Sequence, residues 1–268
     1  MGFVLTVLLA LAQTRLPSNS DIENIGTRDI NRRSINFMSL EKEIALGQEM
    51  SKEVERTAKL FDNQVVNQYV NRITQKVAMN SDAQIPISIK IIESDEVNAS
   101  SLPGGFIYVN TGLIRAAASE AELAFVLAHA IADVAARHGA EQTSKGQLIN
   151  IATIPLIFLA ASPKGMAFAS PPRSSDRLVA ASFYQFAIRA VAESDYLGIQ
   201  YLYTAGYDPA AAVSLLLKIT EPQNNTTHPP IPDRILALEK NIGLILPKRA
   251  THIENTEEFN AIKTLLAK

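Results

Sequence analysis

The sequence contains no cysteine. That absence removes disulfides, thiolate metal ligands, cysteine nucleophiles and a lipid-modified N-terminal cysteine together, while leaving the compartment open. Charge is sparse and balanced: 25 Lys and Arg against 27 Asp and Glu, 19 % of the chain, for a net charge of −2. No long basic block occurs, which argues against nucleic-acid binding driven by phosphate neutralisation. Also missing are a G-x-S-x-G elbow, a Walker loop and a G-x-G-x-x-G turn, and the lone Ser39-x-x-Lys42 reads as a helix start. What is abundant is apolar material. At 47 % hydrophobic over 268 residues the chain can bury an ample core, as one domain with flanking segments or as two small ones.

The N-terminal segment, residues 1–12, is almost wholly apolar from Gly2 to Ala12, and Ala10-Leu11-Ala12 reads as a small-x-small cleavage site. This is a signal peptide in outline, without the usual positive start, and predicts export to the periplasm or beyond. Residues 13–35 are polar, mixed in charge and aperiodic, which predicts a linker ahead of a domain over 36–268. Ser39 followed by Glu41 and Glu43 predicts an N-capped helix. Val65, Tyr69, Ile73 and Val77 mark one face of a second. Ile85, Ile87, Ile89 and Ile91 alternate with Pro86, Ser88 and Lys90, as in a half-buried strand, and a loop ending in Pro103-Gly104-Gly105 leads to a strand over Phe106 to Asn110.

Ser119-Glu120-Ala121-Glu122 is a capping-box pattern opening a helix that reads through to Gly139. Leu123, Val126, Leu127, Ile131 and Val134 make it apolar on most sides, hence central and buried. Leu148 to Ala161 is an apolar run too short for the roughly 20 residues of a bilayer span. It reads as a covered helix or, alternatively, a peripheral membrane contact. A long helix follows from about Asp176 to Ala205, and the Asn, Thr and Pro of Asn224 to Pro232 predict a loop. The sum is α+β, mostly helical, with a small sheet.

Of the four histidines only His129 lies mid-helix in an apolar segment, at the head of His129-Ala130-Ile131-Ala132-Asp133. The stretch from Ser94 to Gln142, with Glu43-Ile44-Ala45-Leu46-Gly47 upstream and Asp195-x-x-Gly198, Ala205-Gly206-Tyr207-Asp208-Pro209 and His228-Pro229-Pro230 downstream, resembles the CAAX-prenyl-endopeptidase family (BepA-like, HtpX-like) of zinc metallopeptidases. Within it, the periplasmic BepA-like branch is the nearest in pattern. The resemblance implies a zincin (gluzincin)-like metallopeptidase fold, with the small sheet beside the central motif helix.

The same resemblance sets out what the site should contain. The family helix reads His-Glu-x-x-His, two ligands on one face with a general base between them. Here His129 is kept, the base position is Ala130 and the second ligand position is Asp133. Four residues before Asp195, which matches the family carboxylate that orients a metal ligand, the third ligand position is Val191. Asp133, one turn from His129, and His228, in a loop that approaches the metal in this family, are the substitutes that could join His129 in a residual site. Otherwise His129 should hydrogen-bond Asp133. Glu193 should point away.

Phe106, Ile107, Tyr108 and Val109 correspond to the family's substrate-binding edge strand. These residues predict a catalytically impaired or inactive homologue that binds unfolded or extended polypeptide in the envelope, with outer-membrane proteins among its partners. No nucleic acid is expected as a partner, and no cofactor. The alternative is an active zinc metalloendopeptidase with an irregular metal site.

Overall fold

A computed structural model of the chain describes residues 20–31, 36–144, 177–219 and 228–267. After a single turn, α1 (Ser20–Glu23), the first long helix α2 (Leu40–Thr57) starts where cap chemistry puts it. Ser39 accepts from the Lys42 backbone N–H, with Glu41 and Glu43 in the first turn. Helix α3 (Gln64–Ala78) is capped by Asn63 and buries Tyr69, Ile73 and Val77 as the spacing predicts. Val65 departs from that pattern and is 57 % exposed. Val66 and Val70 fill the apolar stripe instead, because each step along a helix rotates a side chain by about 100°.

The sheet has three strands: β1 (Ser88–Ile92), β2 (Ala99–Leu102) and β3 (Phe106–Asn110), in the order β1-β3-β2. β1 runs parallel to β3 and β2 antiparallel to it. The expected edge, Phe106 to Val109, is therefore corrected: it is the central strand. A tight turn over Pro103–Gly105, with Gly104 and Gly105 at φ 78° and 88°, folds β2 back onto β3 and takes the edge position for itself.

Helix α4 (Thr111–Ala116) leads to α5 (Glu120–Ala135), the centre of the molecule, with Leu123, Leu127 and Ile131 fully buried. Ser119 accepts from Glu122 N–H, and the Glu122 carboxylate accepts from Ala118 N–H. The helix does not continue to Gly139. Arg137 takes a left-handed conformation (φ 55°), a local cost of about 1–3 kcal/mol. Its guanidinium reaches the buried Glu43 at 2.7 Å and Met38 O at 2.6 Å. The break starts a new helix, α6 (His138–Ser144), and turns His138 back towards the last turn of α5.

Helix α7 (Arg177–Thr204) lies along α5, and a Cβ at Gly198 would stand only 3.2 Å from the His129 backbone nitrogen. Three helices finish the described chain: α8 (Ala211–Leu216), α9 (Ile231–Ile245) and α10 (Glu257–Leu266). Pro232 belongs to the first turn of α9 rather than to the preceding loop. Residues 1–12, the run Leu148–Ala161 and Asn224–Thr227 lie outside the described residues.

The linker reading of 13–35 is corrected where the structure describes it. Residues 20–31 are docked on the domain, not tethered from it. Asp82, 5 % exposed, accepts from Gly26 N–H (2.7 Å), Arg28 Nε (2.8 Å) and Tyr201 Oη (2.7 Å), while Arg28 Nη1 donates to Gln200 Oε1 (2.7 Å). Composition is blind to this because the anchoring groups are themselves polar. Removing one member of a buried ion pair strands the other charge. Arg28→Ala should therefore lower the unfolding free energy by about 3 kcal/mol in a urea titration; a change within error would mean the segment is not docked.

Candidate functional site

The site forms where α5 meets α7. His129 Nδ1 lies 2.9 Å from Asp195 Oδ1, and Arg234 from α9 donates to both oxygens of the same carboxylate, Nε at 2.7 Å and Nη2 at 2.8 Å. Burial works against the Asp195 charge, but the hydrogen bonds from Arg234 and His129 outweigh it and hold the carboxyl below its ordinary range. The His129 ring is 20 % exposed and edge-on to Phe125. With Nδ1 committed to a carboxylate, Nε2 is the nitrogen left for a ligand, the usual arrangement of a metal-binding imidazole.

The other positions singled out by the resemblance carry different chemistry. Ala130, 4 % exposed, presents only a methyl group, and Val191, 9 % exposed, is apolar. Asp133 does not pair with His129, as the sequence had suggested. It accepts from Ser101 Oγ (3.2 Å), pairs with His138 Nδ1 (2.9 Å) and accepts a short bond from Ser194 Oγ. Glu193 points away from the Val191 position and reaches His138 Nε2 at 3.1 Å. Ser194, His138 and Asp133 are not a nucleophile triad. Ser194 is fully buried and donates directly to the aspartate, and Glu193 occupies the His138 nitrogen that a nucleophile would need.

His228 stands close enough to feel the charges of Arg234, His129, Asp133 and Asp195. Burial, then the electrostatic influence of Arg234 and His129, push its imidazole down to about 4, so it is neutral at pH 7. Among the described residues, no three His, Asp or Glu side chains are grouped to hold one ion. Of the residues the resemblance names as ligands or substitutes, His129 keeps a ring nitrogen with no partner among the described residues, whereas Asp133 is spent on Ser101, His138 and Ser194.

The free edge of the sheet is β2, which packs on α5. Asn110 N–H donates to Asn98 O at 2.9 Å, so the hydrogen-bonded pairs along the ladder are Asn98–Asn110, Ser100–Tyr108 and Leu102–Phe106. Ala99 and Ser101 consequently turn their N–H and C=O outward, and no described residue bonds them. Ser101 thus joins the open edge to Asp133.

Sequence reasoning missed His138, Arg234, Ser194 and Ser101. His138 was visible as a histidine nine residues beyond His129, but the helix breaks at Arg137, two residues before the Gly139 at which the sequence closes it. For Ser101 no local signal exists.

A model of peptidase family M48 matches residues 64–242. The beta-barrel assembly-enhancing protease of Escherichia coli (strain K12) is 28 % identical over 240 residues, 84 % of this chain and 48 % of that protein. Its counterpart in Yersinia pestis is 29 % identical over 228 residues, 82 % and 45 % of the respective chains. The mitochondrial metalloendopeptidase OMA1 of Schizosaccharomyces pombe is 28 % identical over 235 residues, 82 % of this chain and 67 % of that one. The chain therefore spans about half the length of the bacterial relatives. The expectation of no cofactor is overturned by these matches: a metallopeptidase family and metalloendopeptidase relatives point to zinc.

Asp133, His138 and Glu193 make stability depend on pH. Burial lowers the His138 pKa, but its bonds to Asp133 and Glu193 raise it further, to about 9. A folded value above the unfolded one means stabilisation that is complete below the unfolded pKa of about 6.5 and lost as pH rises through 9. Asp133 is held at about 2, burial being outweighed by His138, His129 and Ser194, so its share is lost only as pH falls from about 4 through 2. The unfolding free energy should fall by about 2–3 kcal/mol between pH 6 and 9.5, and His138→Gln should flatten that slope. An equal slope in the variant would place the titrating group elsewhere.

Proposed function

The chain belongs to peptidase family M48, and from that premise we propose that it is a polypeptide-binding member of the family in which peptide-bond hydrolysis is impaired. The observation that carries this reading is Ala130. In the motif His-Glu-x-x-His that position supplies the carboxylate that takes the proton from the attacking water. A buried methyl group has no acceptor, and loss of a positioned general base costs about 10²–10⁴ in rate. The deficit stands with zinc bound, because a metal supplies Lewis acidity and not the missing proton acceptor.

The fold that follows from this reading is zincin (gluzincin)-like, a domain over 36–268 with the segment 20–31 as part of it. Its substrate edge is β2: the outward main-chain groups of Ala99 and Ser101 are the donors and acceptors an extended chain requires, and they need neither metal nor base. Unfolded or extended polypeptide is therefore the partner class. The names of the bacterial relatives add beta-barrel proteins of an envelope as clients. An N-terminal signal peptide and a periplasmic location, with peripheral membrane contact, complete the reading, and among the described residues no helix is long and apolar enough to cross a membrane.

One observation favours the alternative of an active zinc metalloendopeptidase: the His129–Asp195 pair keeps the carboxylate-oriented geometry of a working ligand. Casein digestion separates the two. The zinc-loaded protein should leave casein intact, with and without chelator, while retaining it on a column. The triple variant Ala130→Glu, Asp133→His, Val191→Glu should take up zinc more tightly than the parent, at some loss of apo stability because Asp133 gives up three bonds. Chelator-sensitive cleavage by the parent would sink the impaired reading.

A further inference from the structure

We propose that the opposite edge of the sheet, along β1, is a second site for extended polypeptide, distinct from the β2 edge. The outer side of β1 is only partly occupied. Phe61 N–H donates to Ile91 O (2.9 Å), Glu93 N–H donates to Lys59 O (2.8 Å), and Leu60 bridges Ile92 in antiparallel fashion. At the other end, Gln75 Nε2 caps Ile87 O at 2.9 Å. The main-chain groups of one strand residue both point to the same side, and alternate residues share that side. Ile87, Ile91 and Glu93 all face outward, so Ile89 does too.

Its N–H and C=O have no partner among the described residues. The next rung of the ladder would pair Ile89 with Asn63. The chain has already turned away there, because Asn63 is the N-cap of α3. The missing rung opens onto a cavity of about 370 Å³ lined by the apolar Leu60, Phe61, Ile89 and Ile91 together with the charged Asp62 and Lys90. Val70 and Ile91 are buried, and Asn67 is spent on Phe61 O.

An unpaired main-chain donor and acceptor beside a cavity that keeps some apolar surface open fits a particular occupant. It is a short extended segment of another polypeptide, bonding Ile89 through its backbone and resting an aliphatic side chain against Leu60 and Ile89, which keep exposed surface. Main-chain pairing would give the affinity. A client held at both edges would be bound more tightly than at either alone, provided its length spans the two.

The test is amide hydrogen exchange on the full chain with an acetylated, amidated hexapeptide of alternating valine and threonine ending in lysine. In the free protein the Ile89 amide should exchange quickly; at millimolar peptide it should slow at least tenfold, with the neighbouring Ile91 amide. Ile89→Pro removes an outward N–H, which an edge strand tolerates, together with a side chain partly buried against the core, so the variant should fold but melt somewhat below the parent. It should also lose the protection at Ile91. The parent measurement decides the matter even where the variant fails to fold. An Ile89 amide already protected without peptide means the protein's own chain fills the edge and overturns the proposal. So does unchanged exchange, or protection confined to Ala99 and Ser101, whose amides report the β2 edge separately.

Discussion

The buried charge of Asp195 sets the geometry of the whole site. At 5 % exposure water cannot solvate it, so the protein has to supply the donors. They come from two other helices, His129 on α5 and the forked guanidinium of Arg234 on α9, so a single carboxylate on α7 fixes three elements against one another. The orientation of the His129 ring follows from this, and so does the closeness of the two helix backbones that Gly198 permits one turn along. The His129 ring is therefore held in place by protein groups alone, and its aim does not depend on a metal being bound.

Asp133 builds a second clasp on the same principle. A histidine at this position would extend its ring one turn from His129, towards a shared ion. The shorter carboxylate, with two acceptor oxygens, is instead met by donors from three directions: Ser101 on β2, Ser194 on α7 and His138 on α6. Its lone pairs are largely spent. His138 is available for this only because Arg137 breaks the helix, and Arg137 holds its left-handed backbone because Glu43 is buried beneath its guanidinium. One chain of polar contacts thus runs from α2 through the end of the motif helix to the open edge of the sheet.

How much of this the sequence discloses depends on the range of the interaction. Local chemistry was legible: the caps at Ser39 and Ser119, the strand from Phe106 to Asn110, the long helix closing at Gly206 and the buried character of α5 all appear where the residues place them. Family membership was legible too, since the order of its motifs along the chain carries it. Partners across the fold were not. Asp133 has two histidines within five residues, and nothing in the sequence ranks His138 above His129; only the break at Arg137 decides. The edge strand was misassigned for a similar reason, because strand order depends on which way the Pro103–Gly105 turn folds and not on the composition of either strand. The segment 20–31 read as linker because its anchor, Arg28, finds Asp82 and Gln200 far along the chain.

Under the proposed function, the sheet is what lets binding and cleavage part company. Cleaving a peptide bond requires a metal-activated water and a group to take its proton, both set within a fraction of an ångström of one another. Holding a peptide as an added strand requires only a straight edge with unpaired N–H and C=O groups. The first set depends on side chains at three or four positions, any of which a single substitution abolishes. The second resides in the backbone of β2 and β1, which tolerates substitution so long as the strands stay paired to β3. An unpaired edge is otherwise an aggregation hazard. Under the proposed function, the open main-chain groups of Ala99 and Ser101 are the ones an extended polypeptide would cover.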